Sequence, residues 1–197
     1  MIPLPNITTP RLYLRPVSPS DAEDIFDYAK RKEVGPNAGW APHEDISVTR
    51  KFVESLLLKR ERGHPGVFAV VHRFDEKVVG TIEIHSYVAD FKGDLGMVLH
   101  PDYWGQGLML EAAKAVMVYG FEYLGLKRLG YAHFPENYPS KRLREKLGFT
   151  FEGIARNNYK RFDGAILDEA VASYTLEDYK RDAGDFHSFK KRISFDF

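Results

Sequence analysis

Three groups of residues have types and spacings suited to chemistry. The first is Trp104-Gly105-Gln106-Gly107, between an alternating segment that ends at Leu99 and an apolar-periodic one that begins Leu108-Met109-Leu110-Glu111. A strand turning tightly into a helix leaves several backbone N–H groups unpaired and aimed at one point. The helix end adds about half a positive charge there, and glycines let an anion approach the backbone closely. That is a site for phosphate or pyrophosphate that needs no lysine; a Gly-rich turn with no ligand fits the same spacing. The second group is Glu83 and His85, two apart in an alternating stretch, so both project from one strand face. A carboxylate or imidazole facing a cleft could move a proton, although exposed strand faces are commonly charged. The third is Asn137-Tyr138-Pro139-Ser140, a turn leading into a short helix whose cap Ser140 could be.

Other chemistries are missing. No glycine is followed by lysine, so there is no phosphate loop of the Gly-Lys type. No serine stands in a G-x-S-x-G elbow. Gly105-Gln106-Gly107 opens like a dinucleotide fingerprint, but Leu110 stands where its third glycine belongs. There are no cysteines, which removes disulfides, thiolate catalysis and thiolate-bound metals. The seven histidines are scattered with no pair at helical i, i+4 spacing, so no metal site is expected.

The elements that must position these groups are legible in the periodicity. Alternation marks strands over 11–17, 67–72, 77–87, 94–99, 128–134, 149–159 and 165–175. In the third of these Val78, Gly80, Ile82 and Ile84 are expected on one face, with Thr81, Glu83 and His85 on the other. Ser18-Pro19-Ser20-Asp21 predicts a helix start, with the helix running to about Lys32. Val34 to Pro42 reads as a loop. A second helix is expected from Asp45 or Ser47 to Gly63, with Val48, Phe52, Val53, Leu56 and Leu57 inward. A long one follows over 105–124, with Leu110, Ala113, Val116, Met117 and Gly120 inward, and a short one over 140–147. Leu176 to Asp182 reads as a helical turn, and the aromatic and basic stretch after Gly184 as either a docked tail or a partly ordered one. The order β-α-α-β-β-β-α-β-α-β-β is not simple alternation, so the sheet is mixed and the class α+β.

Composition sets the limits. The chain has 197 residues, 44% hydrophobic and 28% charged, with 28 basic and 28 acidic residues. A chain of that length buries roughly 70% of its unfolded surface. Zero formal charge removes the basic footprint of a general nucleic-acid binder. The apolar runs are too short to span a membrane, and MIPLPNITTPR is unlike a signal peptide, so a cytoplasmic protein is expected.

Taken together, the segments resemble the RimJ/RimL branch of the GNAT N-acetyltransferases. The family's Q/R-x-x-G-x-G/A signature falls on Trp104, Gly105, Gln106, Gly107, Leu108 and Met109, with Trp104 and Met109 departing from the usual types and Tyr103-Trp104-Gly105-Gln106-Gly107 giving the branch's Y-W-G-x-G form. Asn137-Tyr138-Pro139-Ser140 fits N-x-x-S, residues 145–153 fit EKLGF-x-x-EG, Thr9-Pro10-Arg11-Leu12 fits T-x-R-L, and Asp163-Gly164 and Asp168 follow in order. The resemblance covers about residues 7–180.

It implies a GNAT fold, a mixed sheet splayed in the middle and flanked by helices, with acetyl-CoA in the gap. One domain is expected over 1–182 with a C-terminal extension over 183–197. The pantetheine arm would lie along Met97, Val98 and Leu99, and the pyrophosphate on the amides from about Gly105 to Leu110. Acetyl would pass directly to a primary amine. Ser140 stands where RimL-type enzymes have a serine proposed to protonate the leaving thiolate, and the tyrosine that many other members use falls at Arg144. Asn137 is expected to hold the pantetheine or the loop itself. The glutamate proposed as base in RimL falls at Tyr159 and does not carry over; from the strand face Glu83 stands first among bases or substrate ligands, ahead of Asp94 and His85, with a water relay or an amine arriving already neutral left open. Gly39-Trp40-Ala41-Pro42-His43 resembles a W-x-P-H element beside the acceptor side, so Trp40 and His43 could frame the amine; loop packing would account for them as well. The acceptor is expected to be a protein N-terminal amine, with a small amine (polyamine, antibiotic or amino acid) as the alternative and a non-catalytic acyl-CoA-binding domain as the third reading. No metal, nucleic acid or membrane partner is expected, and a homodimer is left open.

Overall fold

A computed structural model describes residues 2–197; Met1, the first residue of the expected domain, lies outside the described residues. Nine strands form one sheet: β1 (Asn6–Thr8), β2 (Leu12–Pro16), β3 (Val67–His72), β4 (Lys77–Val88), β5 (Lys92–Leu99), β6 (Arg128–His133), β7 (Thr150–Lys160), β8 (Ile166–Thr175) and β9 (Ser194–Asp196). Their order is β7-β8-β6-β5-β4-β3-β2-β1-β9. All neighbours are antiparallel except β5 and β6, whose crossover runs through α4 (Leu108–Val118).

The parallel pair joins only at its start, where Lys92, Gly93 and Asp94 pair with Arg128, Leu129 and Gly130. Beyond that the strands diverge, and β6 stays with β8 as far as His133 opposite Ala170. The sheet is therefore splayed between β5 and β6, as the resemblance implies.

Two apolar layers sandwich the sheet. Helices α1 (Ala22–Ala29) and α3 (Ile46–Glu61) cover one face through Ile25, Tyr28, Val53 and Leu56 against Val67, Ala69 and Val78. Helix α4 covers the other, with Met109, Ala113, Val116 and Met117 in one core with Phe68, Val70, Ile82 and Ile84. Val78 is a correction to the expected strand face. Val70 pairs with Gly80 but Val71 with Val78, so Val79 is an extra residue and takes the place toward α4. The bulge reverses the alternation for Val78 and leaves Glu83 and His85 on the expected side.

Other differences have local causes. Ser18 opens the predicted helix, its N–H bonded to Asp21, whose carboxylate also holds Arg15; the regular turns end at Ala29 rather than Lys32. The expected loop after Val34 contains one turn of helix, α2 (Gly35–Ala38). In α3, Val48 is exposed and Thr49 is buried in its place. Helix α4 begins at Leu108 because Gly105 and Gly107 both hold positive φ, and its C-terminal part, Tyr119–Tyr123, widens into a π-helical turn. Strand β1 is three residues long and too short to show periodicity.

The C-terminal stretch is docked. After α5 (Tyr138–Lys146) and the β7–β8 pair, α6 (Leu176–Arg181) and α7 (Ala183–Lys190) bury Tyr179, Phe186 and Phe189 in the α4-side core, and β9 pairs with β1, Phe195 opposite Ile7. Among the described residues no helix is long and apolar enough to cross a membrane.

Candidate active site

The splay opens a cleft of about 1460 Å³ whose walls bring together Trp40, Glu83, His85, Asp94, Met97, Val98, Leu99, Trp104, Gly105, Gly107, Leu108, Met109, Asn137 and Ser140. These residues come from segments up to a hundred positions apart. The common cause is the loss of pairing between β5 and β6.

One wall is the free edge of β5. The His100 N–H bonds the Val79 carbonyl, and alternation along the ladder from that bond directs the backbone groups of Met97 and Leu99 away from β4. Those of Val98 face Thr81, so along this stretch the strand-like pairing expected over 97–99 is left to Met97 and Leu99. The Leu99 carbonyl accepts from the Trp104 indole N–H at 2.8 Å, which ties the glycine turn to the strand. The free edge is thus the amide and carbonyl of Met97 and the amide of Leu99.

The glycine turn follows. Gly105 and Gly107 have φ of 76° and 75°, and a Cβ on Gly105 would meet only open space. The first amides of α4 have no helical acceptor. The Gln106 side chain does not line the cleft. Its side-chain amide donates to the Asp102 carbonyl, and its own carbonyl accepts from Arg11, both on the outer surface.

Helix α5 supplies Ser140. The helix cap is Asn137, whose Oδ1 accepts from the Ser140 N–H at 3.2 Å while its Nδ2 donates to the Asn37 carbonyl. The Ser140 hydroxyl is therefore not the cap. It lies 2.9 Å from the Tyr131 hydroxyl, which sequence reasoning missed. Burial pushes the Tyr131 phenol up to about 12, against the hydrogen bond to Ser140, so it stays protonated. Arg144 is buried and stacks on Phe151.

The same β4–β5 side of the cleft carries carboxylates. Glu83 Oε2 is buried without a hydrogen-bond partner, and His64 Nε2 is 3.7 Å away. His64 Nδ1 accepts from the Gly66 N–H, so its remaining proton sits on Nε2 and faces Glu83. Burial holds the His64 imidazole below its ordinary value. Gly96 makes room for the pair Glu83 and His85, since a Cβ there would stand 2.8 Å from the His85 ring. Asp94 lies at the branch point of the splay, directly over Gly130.

Trp40 and His43 are separated. Trp40 lines the cleft, whereas His43 is buried behind it, ring centroids 5.1 Å apart, with Nδ1 2.8 Å from the Thr49 hydroxyl. His43 thus packs the loop, the alternative the sequence left open for it, and is not on the cleft wall. Two further cleft residues went unselected in the sequence. Tyr159 reaches toward the Gly39 carbonyl, and Glu169 accepts from Asn158 Nδ2 at 2.7 Å. Tyr159 follows an irregularity in β7 after Ala155, and Glu169 stands opposite Ala155 on β8; no local signal announces either on the cleft.

The model of the acetyltransferase (GNAT) domain matches residues 11–150, most of the chain. An uncharacterized N-acetyltransferase of Bacillus subtilis, YoaA, is 31% identical over 86% of this chain and 96% of its own. The [ribosomal protein uS5]-alanine N-acetyltransferase of Escherichia coli is 27% identical over 90% of this chain and 94% of its own. Among solved structures, a GNAT-family acetyltransferase from Bacillus anthracis superposes with a TM-score of 0.77 at 27% identity, covering 87% of this chain and 99% of that one. With the splayed sheet, the glycine turn and these relatives in view, the chain belongs to the GNAT family of N-acetyltransferases, in its RimJ/RimL-like branch.

Proposed function

We propose that this enzyme transfers acetyl from acetyl-CoA directly to the free N-terminal amine of a peptide or protein. The observation that carries the reading is one continuous wall. The free edge of β5 at Met97 and Leu99 runs from the glycine turn to a cleft holding both Ser140 and Glu83. Pantetheine fits that edge as an added strand, and the pyrophosphate fits the amides at the start of α4.

The amine nitrogen attacks the thioester carbonyl, forming the N–C bond while the C–S bond breaks. Glu83 takes the proton the ammonium must lose before attack, Ser140 gives one to the departing thiolate, drawing on Tyr131 behind it, and the second proton shed by the nitrogen as the amide forms restores that pair. The E. coli relative's name, which specifies alanine of a ribosomal protein, supports a peptide N-terminus. The carboxylates of Glu33, Glu83 and Glu169 on the cleft wall with Trp40 favour a small cationic amine as the second reading.

Competition separates them. Peptides with free Ala or Ser N-termini are mixed with spermidine and an aminoglycoside at equal concentration and limiting enzyme, and products are read by mass spectrometry. Peptide acetylation is expected to lead. A preference of more than about tenfold in specificity constant for a small amine overturns the peptide assignment.

The turn gives a separate prediction. Gly107→Val forces a β-branched residue into a left-handed backbone at φ 75°. CoA affinity should fall at least tenfold, about 1.4 kcal/mol. Calorimetry on the folded variant checks this, and an unchanged affinity would remove the pyrophosphate from the turn.

A further inference from the structure

The opening Thr9-Pro10-Arg11-Leu12 has no part in the reaction above, yet it is bonded to the glycine turn. Arg11 donates from Nη1 to the Gln106 carbonyl at 2.8 Å and from Nε to Glu111 Oε2 at 2.7 Å. Its backbone N–H donates to Glu111 Oε1 at 2.9 Å, and the Thr9 hydroxyl donates to the same oxygen at 2.6 Å. Arg11 Nη2 lies 3.7 Å from where a Cβ on Gly107 would stand. These contacts join residues about a hundred positions apart, on the outer side of the turn whose inner side lines the cleft.

We infer that Arg11 is a positioning residue for the pyrophosphate site, acting through Gln106 and Glu111; the inference rests on the reading that the turn holds the pyrophosphate of CoA. Two physical effects support it. A peptide unit is planar and trans, so its carbonyl and the following N–H point to opposite sides. Holding the Gln106 carbonyl against Arg11 turns the Gly107 N–H away from Arg11, toward the cleft side, and keeps a carbonyl dipole from facing an anion. The second effect is charge. Glu111 stands in the first turn of α4, where a carboxylate suits the helix dipole but repels a bound pyrophosphate. Burial pushes the Glu111 carboxyl up, but the bonds from Thr9 and Arg11 outweigh this and hold it below its ordinary value, so it is ionised. Arg11 pairs with that charge beside the anion site.

The charge effect makes a prediction that lost packing would not. Arg11→Met frees the Gln106 carbonyl and exposes the Glu111 charge, so the Kd for CoA should rise about tenfold by calorimetry. Adding Glu111→Gln to it removes the repelling charge, and the double variant should recover to within about threefold of the parent. Should Arg11→Met not fold, Arg11→Lys keeps one charge but cannot bridge Glu111 and Gln106 together, and a Kd about fivefold higher is expected. An Arg11 variant that binds CoA within twofold of the parent overturns the inference, as does a double variant that binds no better than Arg11→Met. A parent protein that fails to bind CoA would instead overturn the pyrophosphate assignment itself.

Discussion

Ser140→Ala should lower turnover about a hundredfold with little loss of acetyl-CoA affinity, because only the transition state asks for the lost proton. A helix-capping role would predict a stability loss instead, and the structure separates the two. Asn137 caps α5 through the Ser140 N–H, which alanine keeps. The variant loses only the hydroxyl contact with Tyr131, and the phenol retains the Ser140 carbonyl at 3.3 Å. A stability change of about 1 kcal/mol or less is therefore expected in denaturant titration. Tyr131→Phe should cost less, roughly tenfold, if the phenol only supplies protons to Ser140. Unchanged turnover in Ser140→Ala, with turnover abolished in Tyr131→Phe, would transfer the acid role to the tyrosine.

Glu83→Gln has the second largest expected effect, a loss approaching a hundredfold near pH 6, where only about one α-amine in a hundred is free, and about tenfold at pH 7. The amide matches the carboxylate in shape and keeps an oxygen beside His64, but it cannot take a proton. The loss should depend on pH with a definite sign. A peptide α-amine titrates at about 7.7–8.0, so at low pH nearly every acceptor is an ammonium that needs a base. The variant should be worst there, and its rate should approach the parent's as pH rises and the free amine accumulates. The acidic limb of the kcat/KM profile should shift accordingly. A profile parallel to the parent's at all pH values would move the role to Asp94, His85, Glu169 or bound water.

Fold class and the glycine turn at the head of α4 were legible in the sequence because they rest on local signals. The strand ending at Leu99, the glycines of 105–107 and the apolar period of α4 lie within one short stretch, and positive φ at two glycines is a constraint a single segment can express. Glu83 and His85 were readable as one face because alternation is local, and the bulge at Val79 precedes them. The acceptor half was not legible. His43 and Trp40 share one loop, yet a buried bond to Thr49 turns His43 inward and leaves Trp40 on the cleft. Gln106 sits inside the motif but faces outward, because Arg11 holds its carbonyl. Tyr131, His64 and Glu169 come from three separate elements and meet the site only when β6, the α3–β3 loop and β8 are stacked.

The sequence alone thus determined the order of the longer elements, the glycine turn and the family pattern, since each depends on residues close along the chain. Only the tertiary structure decided which hydroxyl stands beside Ser140, which imidazole faces Glu83 and that Arg11 braces the turn. Each of those contacts joins elements far apart in the chain, as the cleft itself does by opening where β5 and β6 part after a parallel pairing of three residues on each strand, and no single segment encodes any of them.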